Sequence, residues 1–258
     1  MRALCYAQTN IGSGRDNNED NYYCNGTFKR DPAIPVAEAA AEQESKRLIY
    51  GVFDGMGGEA NGEQAALLCA QTLHACSSDE PFDALDFFRR ANVAVCDMIA
   101  ASGQISGSTA ATVHLTGNHA YCCNVGDSRI YRLRDGRMEQ LTQDHSLVGE
   151  LVRAGILTAE EARTHPRRNI ITRALGTEGD NTPDLLAADL QPGDRFLLCT
   201  DGLTGMVRDD EIERTLLDSQ TADEAADRLI QMALDAGGSD NVTLILCTGE
   251  EGKPWRRD

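Results

Sequence analysis

LIYGVFDGMGG, residues 48–58, begins as an unbroken apolar run from Leu48 to Phe53 and stops at Asp54-Gly55. Such a run reads as a buried strand, and the glycine-rich stretch behind it reads as a loop. Asp54 therefore sits where a rigid strand ends and solvent begins, a place from which a side chain can meet a ligand. Three further aspartates stand in a similar setting: Asp127 in VGDSR, Asp201 in LLCTDGL and Asp240 in GGSDNVTLIL. Singly, an Asp-Gly pair makes a turn, as Asp135-Gly136 is expected to do between two strands. Four acids at strand ends, joined by Glu19-Asp20 in an N-terminal polar loop, make independent turns the weaker explanation.

Around this strand, residues 3–12, 108–116, 119–125, 128–134 and 137–141 have the composition of strands, and Arg195 to Thr200 and Val242 to Thr248 are short apolar ones. Residues 62–77, 82–101, 209–218 and 222–236 repeat apolar side chains at helical spacing, with Pro81 placed to open the second. A Pro-, Ala- and Glu-rich stretch between Phe28 and Arg47 reads as a surface loop. Residues 145–165 read as two short helices, 166–183 as an irregular segment and 251–258 as a tail. Strands packed as two sheets with amphipathic helices outside give an α+β sandwich, and the length suits one domain, residues 1–250, better than two.

A net charge of −17 and a pI near 4.6 argue against nucleic-acid and anionic-membrane partners, which are bound through clustered Lys and Arg. The nine cysteines form no C-x-x-C pair and no Cys/His spacing of a zinc site, so they read as reduced thiols. MRALCYAQTN lacks the regions of a signal peptide, and no apolar run approaches the ~18 residues of a membrane span. The expected location is the cytoplasm. GSGRDNN lacks the Lys-Ser/Thr of a phosphate-binding loop, and no G-x-S-x-G elbow is present.

Clustered carboxylates repel one another unless protonated or neutralised by cations. Oxygen donors without His or Cys select hard ions, Mg²⁺ or Mn²⁺ and not zinc. Two such ions, about 3.5–4 Å apart, can share a bridging carboxylate and ready a water for in-line attack on phosphorus. An anionic substrate in an acidic pocket also needs a fixed cation. Arg15 is the candidate, in the same loop as Glu19 and Asp20, with a guanidinium that can hold two phosphate oxygens.

The segments RDNNED (15–20), VFDGMGG (52–58), GSTAA (107–111), VGDSRIYRL (125–133), LTQDHSLV (141–148), ITRALG (171–176), CTDGL (199–203) and SDNVTLI (239–245) follow one another along nearly the whole chain. In that order they resemble the protein phosphatase 2C family of metal-dependent serine/threonine phosphatases, in its compact bacterial form. The resemblance implies a central β-sandwich of two antiparallel sheets flanked by α-helices, in α-β-β-α layers. It places a binuclear metal centre at one end and a flap at about 145–183.

It also implies roles. Asp54 matches the catalytic carboxylate that bridges both ions, and Gly55 a backbone carbonyl ligand. Asp201 and Asp240 match ligands of the first ion, and Glu19 and Asp20 the acidic pair that serves the second, directly or through water. Asp127, with Asp201, matches the acid that holds a third, weaker ion, and Arg15 the catalytic, phosphate-binding arginine. The implied cofactor is Mn²⁺ or Mg²⁺, and the implied partners are phosphorylated proteins and a serine/threonine kinase that the enzyme opposes, with the chain taken as a monomer.

Two departures stand out. Met56 occupies the position of a histidine proposed in many eukaryotic relatives to protonate the leaving alkoxide, which leaves a metal-bound water or His145 as general acid. Asn10 stands where an aspartate is expected. Arg167, Arg168 and Arg173 either receive a phosphorylated segment or balance charge. A catalytically dead phosphoprotein binder and a hydrolase of small phosphate esters stay open as alternatives.

Overall fold

The computed structural model describes residues 2–57 and 61–248. Gly58 of the VFDGMGG motif and the tail expected at 251–258 lie outside the described residues. The chain begins with β1 (Arg2–Asn10), β2 (Asn21–Cys24), β3 (Thr27–Phe28), β4 (Val36–Glu44), β5 (Arg47–Phe53) and β6 (Gly55–Met56). Two helices follow, α1 (Gly62–Cys76) and α2 (Ala84–Ser102), then β7 (Gly107–Ser108), β8 (Ala110–Thr116), β9 (His119–Val125), β10 (Arg129–Arg134) and β11 (Arg137–Gln140). The remainder is α3 (Leu147–Arg153), α4 (Ala159–Thr164), β12 (Asp184–Asp189), β13 (Arg195–Cys199), α5 (Asp201–Thr204), α6 (Asp209–Asp218), α7 (Ala222–Asp235) and β14 (Val242–Thr248).

Among the described residues these strands form two six-stranded sheets, ordered β11-β10-β13-β14-β1-β4 and β12-β9-β8-β5-β2-β3, and a two-stranded one, β6-β7, with every pairing antiparallel. An antiparallel sheet usually shows one face to water, so its strands alternate apolar and polar. Here both faces are covered. Leu48, Tyr50 and Val52 of β5 pack between the sheets, while Ile49 and Phe53 pack outward beneath α1 and α2. On the opposite sheet, Ile245 and Cys247 point inward and Val242, Leu244 and Leu246 meet α6 and α7. The unbroken apolar runs of β5, β13 and β14 follow from this double burial.

The helices supply the matching stripes. α7 buries Ala222, Ala225, Ala226, Leu229, Ile230 and Ala233, one face at helical period. α2 buries Phe87, Phe88, Ala91 and Val95, and its start is capped by the Asp83 carboxylate, which accepts from the Leu85 and Asp86 N–H groups. Each outer layer is thus a helix pair laid on a sheet, the α-β-β-α order expected from the sequence.

Two expectations need correction. The stretch between Phe28 and Arg47 is not loop throughout: Val36–Glu44 lies along the whole of β1, from Arg2 opposite Glu44 to Asn10 opposite Val36. Its composition, VAEAAAEQE, is poor in β-formers. Ala37 and Ala39 nevertheless pack against the inner core, and backbone pairing with a long neighbour outweighs propensity. The cysteines are not all free thiols. Cys5 of β1 and Cys24 of β2 face each other between the two sheets as a disulfide, and the other seven are free. No local spacing marks such a pair, because the two strands belong to different sheets. β12, a short edge strand, carries no sequence signal of its own.

Phe87 is fully buried, with its ring edge-on to Phe53 at 6.4 Å and to Phe88 at 4.9 Å, so it joins α2 to the strand that ends at Asp54. Phe87→Ala is expected to lower unfolding stability by about 3–5 kcal/mol in urea denaturation, as other large-to-small core changes do.

Candidate active site

The register of the sheets sends the suspected residues to one end of the sandwich. Asn21, just after Asp20, pairs with Phe53, just before Asp54. Asn10, which leads into the loop carrying Arg15 and Glu19, pairs with Val242, two residues past Asp240. Arg129, two residues past Asp127, pairs with Cys199, two residues before Asp201. Asp20, Asp54, Asp127, Asp201 and Asp240 therefore emerge on a common rim from both sheets.

Electrostatics report how close they are. Burial, then the fields of Asp20, Asp201, Asp127 and Asp240, pushes the Asp54 carboxyl well above the usual carboxylate range. Asp127 is raised likewise, by burial and then by Asp201. Burial and neighbouring acids lift Asp20 to about 7, against opposing hydrogen bonds from Thr243 and Thr200, and lift Asp201 to about 6. Asp201 raises the proton affinity of Asp54, and both carboxyls are held above the usual range, so a proton or a cation in its place relieves the pair.

Each acid is set by polar groups from distant parts of the chain. Thr200 Oγ1 donates to Asp20 Oδ2 at 2.8 Å. The Glu19 N–H donates to Asn241 Oδ1 (2.8 Å), and Asn241 Nδ2 donates to the Ile11 and Asn17 carbonyls. Thr109 exchanges backbone bonds with Asp54: its N–H donates to the Asp54 carbonyl (2.9 Å), and its Oγ1 accepts from the Asp54 N–H (3.1 Å). Lys29 is buried, its Nζ donating to the Asn18 carbonyl at 2.7 Å, and burial pushes its ammonium down to about 8. Asn17 Nδ2 spans Glu19 Oε1 and Glu63 Oε2. None of Asn241, Thr200, Thr109, Lys29 and Glu63 is marked by the sequence reading. Their partners are tens to hundreds of residues away, and only the TDGL, SDN and GST motif contexts hint at three of them.

Glycines make the close approaches possible. A Cβ on Gly55 would lie 2.1 Å from the Gly62 carbonyl oxygen and 2.5 Å from that of Glu19, and one on Gly62 would lie 2.2 Å from Glu19 Oε2. Arg15 Nη2 donates to Asp240 Oδ2 at 2.7 Å, a half-exposed ion pair at the mouth. Asn10 Oδ1 accepts from the Gly12 N–H and shapes the start of the loop.

As it stands, no group of three or more His, Cys, Asp or Glu side chains among the described residues is arranged to hold a metal ion. The donor chemistry nonetheless suits a hard cation. The acids are oxygen donors that raise one another's proton affinity, and Asp127 Oδ1 is buried with no hydrogen-bond partner. His145 does not suit a proton donor to a bound ester: it is 2% exposed, with Nδ1 accepting from Gly126 and Nε2 facing Asp184.

From Asp127 and Asp201 a cleft of about 520 Å³ runs between α3–α4 and α5–α6. Arg153, Arg163 and Arg168 line it, together with Arg129 and Arg208. Of the three flap arginines singled out in the sequence, Arg168 lines this cleft, Arg167 does not, and Arg173 is committed to Asp184 Oδ1 at 3.0 Å.

A sequence profile described as protein phosphatase 2C matches residues 6–242. The serine/threonine protein phosphatase PstP of Mycobacterium tuberculosis is 37% identical over 247 residues, covering 93% of this chain but 44% of its own length. The serine/threonine phosphatase stp of Listeria innocua is 34% identical over 250 residues, covering 93% of each. Among solved structures, the catalytic domain of PstP in complex with two manganese ions superposes with a TM-score of 0.79 at 34% identity, over 96% of this chain and 99% of that one. With the profile spanning most of the chain and the sandwich superposing on solved relatives, the chain belongs to the protein phosphatase 2C family.

Proposed function

We propose that the protein hydrolyses phosphoserine and phosphothreonine in other proteins, with a hard divalent cation as cofactor. One observation carries the reading: carboxylates from both sheets meet at one rim, raise one another's proton affinity, and stand beside an arginine and an open cleft. The PstP catalytic domain was solved with two manganese ions, and the donor set here suits the same kind of ion.

In this reading Asp54 would be shared by two Mn²⁺ or Mg²⁺ ions. Asp201 and Asp240 would hold the first, Glu19 and Asp20 would serve the second directly or through water, and the Gly55 carbonyl would be a further ligand. Asp127, with Asp201, would hold a third, weaker ion. When bound, the cations supply Lewis-acid activation of a water and neutralise phosphoryl charge. Arg15 takes phosphate oxygens through its planar guanidinium, and its half-exposed position at the mouth leaves it free to turn from Asp240 to a substrate. The cleft receives the chain on one side of the phosphorylated residue. The flap wall is fastened there by Arg163, which donates to the Thr204 carbonyl (2.9 Å), and by the Arg208–Glu160 ion pair (2.9 Å).

The same reading makes residues 1–250 a single catalytic domain with a flap at about 145–183, acting as a monomer on the products of a serine/threonine kinase. Among the described residues no helix is long and apolar enough to cross a membrane. A cytoplasmic location is part of the proposal: the seven free cysteines favour it and the Cys5–Cys24 disulfide counts against it.

Purified protein is expected to hydrolyse p-nitrophenyl phosphate and phosphothreonine peptides with Mn²⁺ and to stop with a chelator. Asp54→Ala or Asp201→Ala is expected to cost roughly 10²–10³-fold in kcat/KM, the scale of losing a main electrostatic stabiliser. Metal-replete protein inert toward all these substrates would refute the proposal. Free phosphoserine turned over as efficiently as a phosphopeptide would instead point to small esters.

Removing metal exposes the repulsion. Asp20 and Asp201 have folded values of about 7 and about 6, above the ~3.9 of an unfolded aspartate. Between about pH 4 and 7 the folded, metal-free chain then binds more protons than the unfolded one, so its stability falls as pH rises through that window. With chelator present, Tm is expected to drop between about pH 5 and 7.5, Mn²⁺ to restore it at the upper end, and Asp201→Asn to flatten the drop. A wild-type Tm that rises across this interval, unaffected by Asp201→Asn, would contradict the assignment.

A further inference from the structure

The loop that carries Asp127 is closed by a buried histidine that the proposed chemistry does not use. His145 grips a single glycine from two sides. Its N–H donates to the Gly126 carbonyl at 2.9 Å, and the Gly126 N–H donates to its Nδ1 at 3.2 Å. A backbone N–H can only donate, so Nδ1 is the lone-pair nitrogen and the ring proton lies on Nε2. Nε2 faces Asp184 Oδ2 at 3.2 Å, and the other Asp184 oxygen accepts from Arg173 Nη1 at 3.0 Å. A carboxylate placed behind a ring nitrogen fixes both the tautomer and the ring orientation.

The consequence for Asp127 follows from peptide planarity. The Gly126 carbonyl lies in the same rigid plane as the Asp127 nitrogen and Cα. Holding the N–H and the C=O of Gly126 together fixes the planes on both sides of its Cα. There is little slack elsewhere. Gly126 has φ +107°, and a Cβ there would lie 2.5 Å from Thr109 Cγ2. On the far side of Asp127, Ser128 Oγ is 2.7 Å from Thr109 Oγ1, the atom that accepts from Asp54. The neighbours of His145 strengthen the clamp: Asn124 Nδ2 donates to the Gln143 carbonyl, and Arg129 forks onto Asp144.

We propose that His145 is a positioning residue for the metal centre: oriented by Asp184, it holds Gly126 through Nδ1 and so sets the direction in which Asp127 presents its carboxylate toward Asp201. The inference rests on the metal-centre reading given above. It separates from a packing role because the two natural isosteres of histidine divide its contacts. An asparagine at 145 places Oδ1 where Nδ1 is and keeps the Gly126 bond, losing Asp184. A glutamine reaches the Nε2 position and keeps Asp184, losing Gly126, although its volume fits the buried site better.

The test is Mn²⁺ titration by calorimetry on the whole chain, with thermal melts to establish that each variant folds. His145→Gln is expected to weaken the Mn²⁺ association that Asp127→Asn also weakens by about tenfold, and His145→Asn by no more than about threefold. His145→Gln combined with Asp127→Asn is expected to bind no worse than Asp127→Asn alone, the non-additivity of two changes at one contact. Glutamine binding as well as asparagine, or losses that add, would overturn the proposal. Should His145→Gln not fold, Asp184→Asn on the exposed edge strand takes its place, with an expected loss of about threefold that Asp127→Asn abolishes; an unchanged titration would count against the inference. Wild-type protein that binds no Mn²⁺ would overturn the metal-centre reading itself, a result distinct from wild-type binding that His145 and Asp184 do not affect.

Discussion

Carboxylates crowded at the border of a low-dielectric interior repel one another, and the rest of the molecule can be understood as the scaffold that keeps them there. Asp54 feels four other aspartates, Asp20, Asp201, Asp127 and Asp240, besides its own burial. A flexible loop would relieve such strain by moving apart. Here each acid is at most a residue or two from a strand covered on both faces, so moving it means disturbing a packed core. The doubly buried strands and the acidic rim are therefore one design: the first gives the second no escape except protonation or a cation.

Much of this was legible in the sequence, for reasons that differ by element. The run Leu48 to Phe53 announces a strand with cover on both sides, and the spacing of α2 and α7 announces where the cover comes from. The acids that end β5, β9 and β13 could be picked out because apolar runs stop at them. β4 could not, since alternating Ala and Glu carry little β signal and the strand exists through its pairing with β1. The Cys5–Cys24 pair depends on two sheets meeting face to face, which no spacing encodes. The polar residues around the acids were invisible for a similar reason: Glu19 meets Asn241, and Asp20 meets Thr200, only after the sheets are assembled.

The kind of residue used in that surrounding layer follows from what the acids must do. Threonine and asparagine dominate it: Thr200 and Asn17 donate neutral hydrogen bonds to the Asp20 and Glu19 carboxylates without spending their charge, while Asn241 and Thr109 hold the backbone that carries Glu19 and Asp54. A lysine or arginine in the same place would compete with a divalent cation for the oxygens. Lys29 is the informative case, because it is buried close enough to Asp20 to feel its field yet donates to the Asn18 carbonyl and not to a carboxylate. It offsets charge while leaving the oxygens of Asp20 to Thr200 and Thr243.

Arg15 tests this logic at the mouth, where it does touch a carboxylate. Its ion pair with Asp240 has side chains 48% and 31% exposed. Pairs of that exposure contribute only about 0–1 kcal/mol, since water and salt screen them and two long side chains lose freedom to make them. A cation on Asp240 would remove most of that small gain, leaving the guanidinium near the acids but without a strong partner. An anion arriving at the rim would then meet a donor whose release costs little, as the proposed phosphate-binding role of Arg15 requires. Buried acids, neutral orienting groups and one weakly held arginine at the surface are thus the parts that the proposed joining of cations and a phosphate would need.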